Sequence, residues 1–285
     1  MEEERVVDFS DLPENCISHA LSFTTPLDAS RAAVVSSVFR TASESDSLWQ
    51  KFLPPDYMEI ISTSASPMEF SSNKDLYLRL CDSILVDGGK MGFSLQKSSG
   101  KKCYTLSPRE LQIIWVDAPR CWRWIPTRTS RFGEAVELLG VSWLEIHGKI
   151  NARILSPKTD YVACLLLKTV DGATGLDYPP AELFVKAGGR AHKKNGYLYV
   201  DGDRLPVLNP EILTALRIKM EARRPIDIPR VPHSRDDGWM EIELGRFFND
   251  GEGGDVEMSI MEIKGRNLKK GLIIEGIEIR PYNRF

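Results

Sequence analysis

Apolar positions in the first part of the chain recur at helical spacing and predict three short helices. Asp11 and Pro13 are suited to the start of the first helix, because a carboxylate caps free amides and proline fits an opening turn. Pro26 starts the second helix, whose apolar stripe continues to Phe39. The third helix ends at Leu53. The apolar positions are Ile17, Ala20 and Leu21, then Leu27, Val34, Val35, Val38 and Phe39, then Leu48, Trp49 and Phe52.

A module of this size has too little volume to cover such a stripe with a core of its own. An exposed apolar stripe of this width is typical of a surface that binds another protein. The pattern therefore predicts a protein-binding helical module over residues 1–57.

The sequence pattern of residues 58–100 predicts a connection between two modules. Ser62–Ser72 is rich in Ser, Thr and Pro, a composition typical of a loop. Helical spacing returns between Asp75 and Leu85, and a turn follows at Asp87–Gly89. Two short strands are predicted at Met91–Leu95 and Cys103–Leu106. We expect a linker, a helix and a hairpin in this region.

Beyond residue 101 the apolar period becomes that of strands. Leu144 to Ile154 alternates as in a strand with one buried face, and Tyr161–Val170 is apolar on both faces. Further strands are predicted at Leu183–Ala187, Tyr197–Val200, Met240–Leu244, Val256–Ile263 and Leu272–Ile279. About eight strands favour an antiparallel, jelly-roll-like β-sandwich, interrupted by one helix that starts at Asn209 and stops before Pro225. The predicted fold class is α+β, with a helical module followed by this sandwich.

Charge and composition narrow the function. A net charge of −3 argues against nucleic acid as a main ligand, and pairs such as Lys193–Lys194 are too short to form a basic patch. No apolar run has membrane-spanning length, and Met1 leads into acidic residues rather than a signal peptide. We therefore expect a protein of the nucleus and cytoplasm that binds neither nucleic acid nor membrane. The five cysteines are odd in number and lack CxxC spacing, so reduced thiols are the default.

Common catalytic signatures are missing from the sequence. The patterns GxSxG, HExxH, GxxxxGK and GxGxxG do not occur, and the four histidines are scattered. His233 stands near Asp236 and Asp237, but turn chemistry explains those aspartates more simply than a metal or acid–base site does. The Asp250–Asp255 loop lacks the ligand spacing of a calcium loop. We predict a non-catalytic protein without cofactor or metal.

Three of the six tryptophans crowd into ten residues, at positions 115, 122 and 124. Core packing and a binding platform both stay open for each of them. An indole face offers apolar area to the C–H face of a sugar, while nearby carboxylates accept hydrogen bonds from its hydroxyls. Trp122 is the better stacking candidate, because it follows a proline turn and lies between two arginines, whereas Trp115 is expected to be half-buried. Trp124, Trp143 and Trp239 are expected to be packing residues.

The helical module resembles the F-box, the motif that docks on the Skp1 subunit of cullin-RING ubiquitin ligases. The resemblance rests on the Leu12–Pro13 start, the Leu21 position, the Val35/Phe39 run and the Leu48–Trp49 end. It implies that the residues bound to Skp1 are Leu12, Pro13, Ile17, Leu21, Leu27, Val35, Phe39, Leu48, Trp49 and Phe52.

The rest of the chain resembles the phloem protein 2 domain, the family of a tobacco lectin that binds N-acetylglucosamine oligomers and N-glycan cores. This resemblance rests on the tryptophan cluster followed by Val141–Ile150, Pro232–Asp250, Asp255–Ile263 and Gly271–Pro281. With the F-box, it identifies the chain as a plant F-box protein of the phloem protein 2-like B type. The lectin-like domain is expected at residues 101–285.

The lectin resemblance implies sugar-binding roles for two tryptophans and two acidic residues, which correspond to Trp115, Trp122, Asp255 and Glu262. Asp255 stands where the family's lectin has glutamate, so its arm is one methylene shorter. A regular strand would place Asp255 and Glu262 on opposite faces, because they are an odd number of residues apart. We therefore expect Asp255 to lie in the preceding glycine-rich loop.

Together the two resemblances imply a substrate-recognition adaptor of a Skp1–cullin–F-box (SCF) ubiquitin ligase. The F-box would hold Skp1, and through it cullin, while the sandwich captures a client glycoprotein bearing N-acetylglucosamine or galactose. The adaptor's contribution is then proximity rather than chemistry. Two alternatives stay open: a sandwich that binds protein clients directly without sugar, and a stress-responsive lectin that acts without a ligase. The intact Leu12–Pro13 and Leu48–Trp49 anchors argue against the latter.

Overall fold

The computed structural model describes residues 12–199 and 229–282, and the chain divides into two compact units. The first unit extends to Gly88 and includes Phe93–Cys103, and the second comprises Gly89–Gly92 and the chain from Tyr104 onward. The predicted Asp11 cap, the end of the predicted strand at Val200 and the predicted helix from Asn209 lie outside the described residues. Helices dominate the first unit and strands the second, which confirms the α+β prediction.

Six short helices form most of the first unit. They are α1 (Glu14–Leu21), α2 (Pro26–Ala32), α3 (Ser37–Glu44), α4 (Asp46–Phe52), α5 (Tyr57–Ser62) and α6 (Asn73–Cys81). A small core lies among the first four, made of Ile17, Leu21, Ala29, Ala42 and Leu48. The prediction that the module has no room for its own core is therefore wrong, because each of these helices contributes one or two apolar side chains to a shared cluster.

The predicted second helix is two helices, α2 and α3. Ser36 is extended, and its hydroxyl accepts a hydrogen bond from the Phe39 amide at 3.3 Å, so this serine caps α3 instead of continuing α2. Val34 and Val35 consequently lie in the connecting turn, where they are 82% and 70% exposed. Pro13 occupies the N-cap position of α1, one residue before the first turn in which it was expected.

Two further differences concern the segment after the F-box-like helices. Helix α5 forms where the sequence pattern predicts no helix. Helix α6 starts and ends earlier than the predicted 75–85. The Ser72 hydroxyl accepts the Asp75 amide at 3.1 Å and caps the start, and extended Asp82 ends the helix. Ile84, expected at the end of this helix, begins a strand.

Fourteen strands occur in the described residues. They are β1 (Ile84–Val86), β2 (Met91–Leu95), β3 (Lys102–Leu106), β4 (Gln112–Ile113), β5 (Trp122–Pro126), β6 (Glu134–Leu138), β7 (Leu144–Asn151), β8 (Thr159–Thr174), β9 (Ala181–Ala187), β10 (Arg190–Gly196), β11 (His233–Ser234), β12 (Met240–Asn249), β13 (Asp255–Glu262) and β14 (Lys270–Pro281). About eight were predicted. The missed strands include β1, β4 and β11, whose two or three residues are too few to show an alternating pattern.

The strands of the second unit form two antiparallel sheets. One has the order β3-β14-β8-β12-β11, with β6 beside β14 and β5 beside β6, and the other has the order β10-β9-β13-β7-β4. The chain passes from one sheet to the other between β7 and β8, β8 and β9, β12 and β13, and β13 and β14. Such repeated crossing is typical of a jelly-roll-like sandwich.

Close packing joins the two sheets. A methyl group added to Gly148 of β7 would meet Ile277 of β14 at 2.9 Å, and one added to Gly245 of β12 would meet Val185 of β9 at 2.9 Å. Residues Tyr161–Leu167 of β8 are almost all buried, as predicted for a strand in the middle of a sheet. The core therefore lies between β8, β12 and β14 on one side and β7, β9 and β13 on the other.

Three strand predictions need correction. The predicted strand Tyr197–Val200 is displaced, because the strand in this region is β10, whose polar sequence RAHKKNG shows no apolar alternation. Strand β7 ends at Asn151, whose side chain accepts the Arg153 amide at 3.0 Å and starts a short 3₁₀ turn. Asp255 begins strand β13 and does not lie in the preceding loop.

Candidate functional site

The outer face of the five-stranded sheet carries a groove of polar and aromatic side chains. In β7, Leu144, Ile146 and their alternate neighbours point into the core, so Glu145, His147 and Lys149 point outward. Strand pairing places Ser259 of β13 directly beside His147. The groove has a volume of about 430 Å³ and is lined by Gln112, His147, Gly148, Lys149, Glu182, Phe184, Glu257, Met258, Ser259 and Met261.

Two rows of outward side chains cross this sheet. In one row His147 of β7, Ser259 of β13 and Phe184 of β9 are consecutive partners. In the next row Glu145, Met261 and Glu182 are partners in the same strands. The groove thus combines a carboxylate, an imidazole and a hydroxyl with an aromatic ring and a thioether, the mixture expected where a ligand has both polar and apolar faces.

A hydrogen-bonded chain of three side chains stands at one end of β7. The indole Nε1 of Trp143 donates to Glu145 Oε2 at 2.6 Å, and His147 Nε2 shares a hydrogen bond with Glu145 Oε1 at 2.8 Å. The bonds from His147 and Trp143 hold the pKa of the Glu145 carboxyl below its ordinary value, because they stabilise its ionised form. Trp143 is 43% exposed, so the prediction that it packs in the interior is wrong.

Trp115 lies close to the same end of β7. The Ile114 amide donates to the Glu145 carbonyl at 3.1 Å, so the backbone continues beside β7 just before Trp115. Trp115 has a φ of 61°, a left-handed conformation that is costly for a bulky side chain and is concentrated at functional sites. Its ring is 50% exposed. Trp115 and Trp143 therefore flank one backbone hydrogen bond and present two indoles to solvent.

Trp122 is buried, whereas the sequence predicts an exposed ring. Its ring is 2% exposed, and its Nε1 donates to the Ile114 carbonyl at 3.1 Å. The prediction that Trp122 is the exposed stacking ring is therefore wrong, whereas Trp115, at 50% exposed, is half-buried as expected. Trp122 pairs with Leu138 of β6, which is also buried, and directly opposed residues share one face of a sheet. Its contact with Ile114 supports the segment that carries Trp115.

Asp255 and Glu262 stand at opposite ends of β13 and on opposite faces. Asp255 is exposed and forms an ion pair with Lys149 at 2.8 Å. Glu262 is 4% exposed, on the inward face, and pairs with Lys269. Of the four residues implied to bind sugar, only Trp115 and Asp255 are exposed, and the fold does not bring all four together on one surface.

Trp239 and Trp124, the remaining tryptophans of the second unit, are less exposed than Trp115 and Trp143. Trp239 is buried and donates its Nε1 to the Thr129 carbonyl at 2.8 Å, which confirms its packing role. Trp124 is partly buried under the Arg109 guanidinium, which lies 3.5 Å from its ring centroid. Neither ring lines the groove.

Apolar side chains of the helical module divide into a buried and an exposed group. Ile17, Leu21, Leu48 and Trp49 are buried, and Phe39 and Phe52 pack partly against the small core. The Trp49 Nε1 donates to the Ser43 carbonyl at 2.7 Å. The exposed group includes Leu12, Pro13, Phe23, Leu27, Val34 and Val35. We call this exposed group the apolar face of the module.

This division separates two roles within the implied Skp1-binding set. Leu12, Pro13, Leu27 and Val35 are available to a partner, whereas the buried members build the module that presents them. Trp49 in particular contacts Phe52 and Tyr77 edge-on or tilted, at centroid distances of 5.6 Å and 5.1 Å. Its loss would disturb the module itself.

Neither a metal site nor a membrane-spanning helix is found in the described part of the chain. Residues 12–199 and 229–282 contain no cluster of three or more His, Cys, Asp or Glu side chains suited to a metal ion. Within the same residues no helix combines the length and apolar character needed to cross a bilayer.

Two family models match the two units. The F-box domain model matches residues 9–51, and the Phloem protein 2 model matches residues 101–281. The second match covers more than half of the chain. The class defined by the fold and these matches is an F-box protein with a phloem protein 2 domain.

Curated relatives narrow that class. Arabidopsis thaliana F-box protein PP2-B15 is 47% identical over 277 residues, covering 95% of this chain and 96% of the relative. F-box protein PP2-B13 from the same plant is 44% identical over 282 residues, with coverages of 95% and 98%, and F-box protein PP2-B10 is 43% identical over 277 residues, with coverages of 96% and 94%. The chain belongs to the plant family of phloem protein 2-like F-box proteins.

Family membership carries a general functional implication. An F-box domain generally implies Skp1 binding, and F-box proteins are generally non-catalytic adaptors. The combination of an F-box with a phloem protein 2 domain suggests an SCF substrate adaptor.

Proposed function

We propose that this chain recruits glycosylated client proteins to an SCF ubiquitin ligase in the nucleus and cytoplasm. The apolar face of the helical module would bind a Skp1-like protein. Trp143 and Glu145, which adjoin the groove through His147, would hold a glycan of the client together with the groove. The observation that carries the proposal is the exposed indole of Trp143 bound to the ionised carboxyl of Glu145, with the exposed ring of Trp115 carried near the same end of β7.

Trp143 is well suited to stack on a sugar ring. Its indole N–H is already bound to Glu145, so the orientation of the ring is set before any ligand arrives. The flat faces of the ring offer apolar contact to sugar C–H groups. The Glu145 carboxylate has further lone pairs, and the neighbouring His147 and Gln112 side chains add polar groups that can bind hydroxyls. Glu145 and Trp143 would thus act together on one sugar unit.

The expected affinity for one sugar is weak. A stacked ring contributes roughly 0.5–1.5 kcal/mol beyond its buried area, and each hydrogen bond contributes about 1 kcal/mol net. Useful affinity then requires an extended or multivalent glycan that also contacts Trp115 or the groove. Such binding is appropriate for an adaptor, because the client needs only to remain close while ubiquitin is transferred.

A glycan array tests this function. Full-length chain purified with its Skp1-like partner is applied to N-acetylglucosamine- and galactose-containing glycans, and Trp143→Ala is compared with wild type. We expect the variant to lose binding at least about tenfold, the equivalent of one stacking contact and one hydrogen bond. Phe248→Ala is the matched control, because Phe248 is also an exposed aromatic residue but belongs to β12 in the other sheet. Wild-type levels of binding by Trp143→Ala would refute the role of this ring.

A second candidate is direct recognition of a protein client. Phe184 and Met261 supply apolar area to the groove, and Leu268 is 59% exposed in the loop after β13. These side chains favour a peptide segment over a sugar at that part of the face. An empty array with correctly folded wild-type protein would support this candidate and exclude glycan capture.

A further inference from the structure

An interior ion pair lies behind the groove, at the end of β13. Glu262 is 4% exposed, and Lys269, which immediately precedes β14, has no exposed surface. The two side chains pair directly. Removing both charges from water is unfavourable unless their remaining hydrogen bonds are satisfied. The hydrogen-bond partners of Glu262 and Lys269 therefore identify the chain segments that the pair connects.

Backbone groups of two loops form hydrogen bonds with both members of this pair. Glu262 Oε1 accepts the amides of Lys264 at 3.1 Å and Gly265 at 2.8 Å. Lys269 Nζ donates to the carbonyls of Ser142 and Asn267, both at 3.0 Å. The pair thus closes the loop between β13 and β14 and ties it to the segment just before β7.

Backbone pairing strengthens the same connection. The Lys269 amide donates to the Val141 carbonyl at 2.7 Å, and the Val141 amide donates to the Lys269 carbonyl at 3.0 Å. Leu268 packs over Gly140, where an added methyl group would meet its Cδ1 at 3.3 Å. Residues 140–143 and 264–269 therefore form one connected rim.

Trp143 is held from both sides by this arrangement. The carbonyl of the preceding residue, Ser142, is fixed by Lys269, and the indole N–H is fixed by Glu145. Leu268 and Trp143 are the large exposed apolar side chains of the rim. Their placement on the surface depends on two buried charges that do not themselves reach the surface.

We infer that Glu262 and Lys269 form a positioning pair for the ligand-binding rim, and that Glu262 acts through Lys269 rather than by touching the ligand. This inference rests on the proposed function, because it assumes that the Trp143 face binds a client. It assigns to Glu262 a role different from the direct sugar contact implied by the lectin resemblance. A carboxylate that is only 4% exposed and points into the interior is not accessible to a sugar hydroxyl.

The test uses full-length chain with its Skp1-like partner and the double variant Glu262→Gln/Lys269→Met. Replacing both charges avoids an unpaired buried charge and keeps the volumes similar, so the sandwich should fold. We expect glycan binding to weaken at least about tenfold, the equivalent of one or two lost hydrogen bonds. Amide hydrogen exchange should quicken in residues 140–143 and 264–269. The matched control is Arg123→Met/Glu137→Gln, which removes the exposed pair between β5 and β6 by the same chemistry and should change neither readout.

The single variants distinguish positioning from direct contact. Because each leaves one charge buried without its partner, binding and exchange are measured below the lowered Tm, where calorimetry shows the variant to be folded. Both Glu262→Gln and Lys269→Met should weaken binding and quicken exchange in the two loops. Loss of binding in Glu262→Gln with full binding in Lys269→Met would mean that Glu262 touches the glycan, which would overturn the inference. Unchanged exchange in the two loops would also overturn it.

Hydrogen exchange separates this inference from the proposed function. If wild type binds no glycan, the glycan function fails, but quickened exchange in both loops would still support the pair as the element that positions the rim. If wild type binds glycan and the variants bind equally well, the inference fails while the proposed function stands.

Discussion

Replacing Trp122 by alanine removes a ring that is only 2% exposed and the donor bound to the Ile114 carbonyl. Truncating a buried tryptophan typically lowers the free energy of unfolding by about 3–5 kcal/mol. The orphaned Ile114 carbonyl adds about 1 kcal/mol or more. In a domain of 150–250 residues each kcal/mol lowers Tm by roughly 2–4 °C, so we expect Tm to fall by roughly 10–20 °C.

Differential scanning calorimetry of the full chain measures this change. Trp143→Ala is the matched comparison, because its half-exposed ring should contribute less than about 1 kcal/mol to folding. Below its lowered Tm, folded Trp122→Ala should retain part of its glycan binding, since Trp122 supports the Ile114 backbone rather than the ligand. An unchanged Tm with complete loss of binding would refute our placement of Trp122 and restore it as the stacking ring.

Two further predictions concern the helical module and acid stability. Val35→Asp should abolish co-purification with a Skp1-like protein without unfolding the chain, because Val35 is exposed in a turn; normal co-purification would exclude this surface. Burial raises the pKa values of Glu241 and Glu278, but Arg235 and Arg280 outweigh it and leave both below the ordinary 4.5. These carboxylates therefore stabilise the fold above pH 4.5 and lose that contribution as pH falls through their folded pKa values. Urea titrations of Glu241→Gln should show a weaker loss of stability below pH 4.5 than wild type, and an identical pH dependence would contradict this.

Sequence periodicity predicted much of the sandwich. The alternation from Leu144 onward placed the inward face of β7 correctly, and it also implies that Glu145, His147 and Lys149 point outward. That outward triplet is the available signal for the groove, but no motif marks it. The long apolar run of β8 was likewise sufficient to predict a central strand.

Side-chain exposure within the tryptophan cluster could not be predicted from sequence. Trp122 is flanked by arginines, which suggested exposure, yet strand β5 turns its ring inward. Trp115 follows an apolar run, which indicates half-burial, and its ring is 50% exposed on a left-handed backbone that no local pattern predicts. These outcomes depend on strand pairing and backbone dihedrals, which involve residues far away in sequence.

Long-range pairing also explains the missed role of Glu262. A glutamate at the end of a strand gives no local sign of a buried lysine seven residues later, or of a carbonyl at Ser142. The break between α2 and α3, by contrast, has a local signal in the sequence. Ser36 is a common capping residue, but the prediction followed the continuous apolar stripe instead.

The central claim is that one chain joins a Skp1-like protein to a glycan. A glycan array incubated with the chain and a labelled Skp1-like protein tests it directly, with the label read at each glycan spot. The label should appear on N-acetylglucosamine- or galactose-containing spots with wild type and disappear with either Trp143→Ala or Val35→Asp. With Val35→Asp the chain itself should still be detected on those spots by antibody. Absence of the labelled protein from every spot that holds folded wild-type chain would contradict the claim.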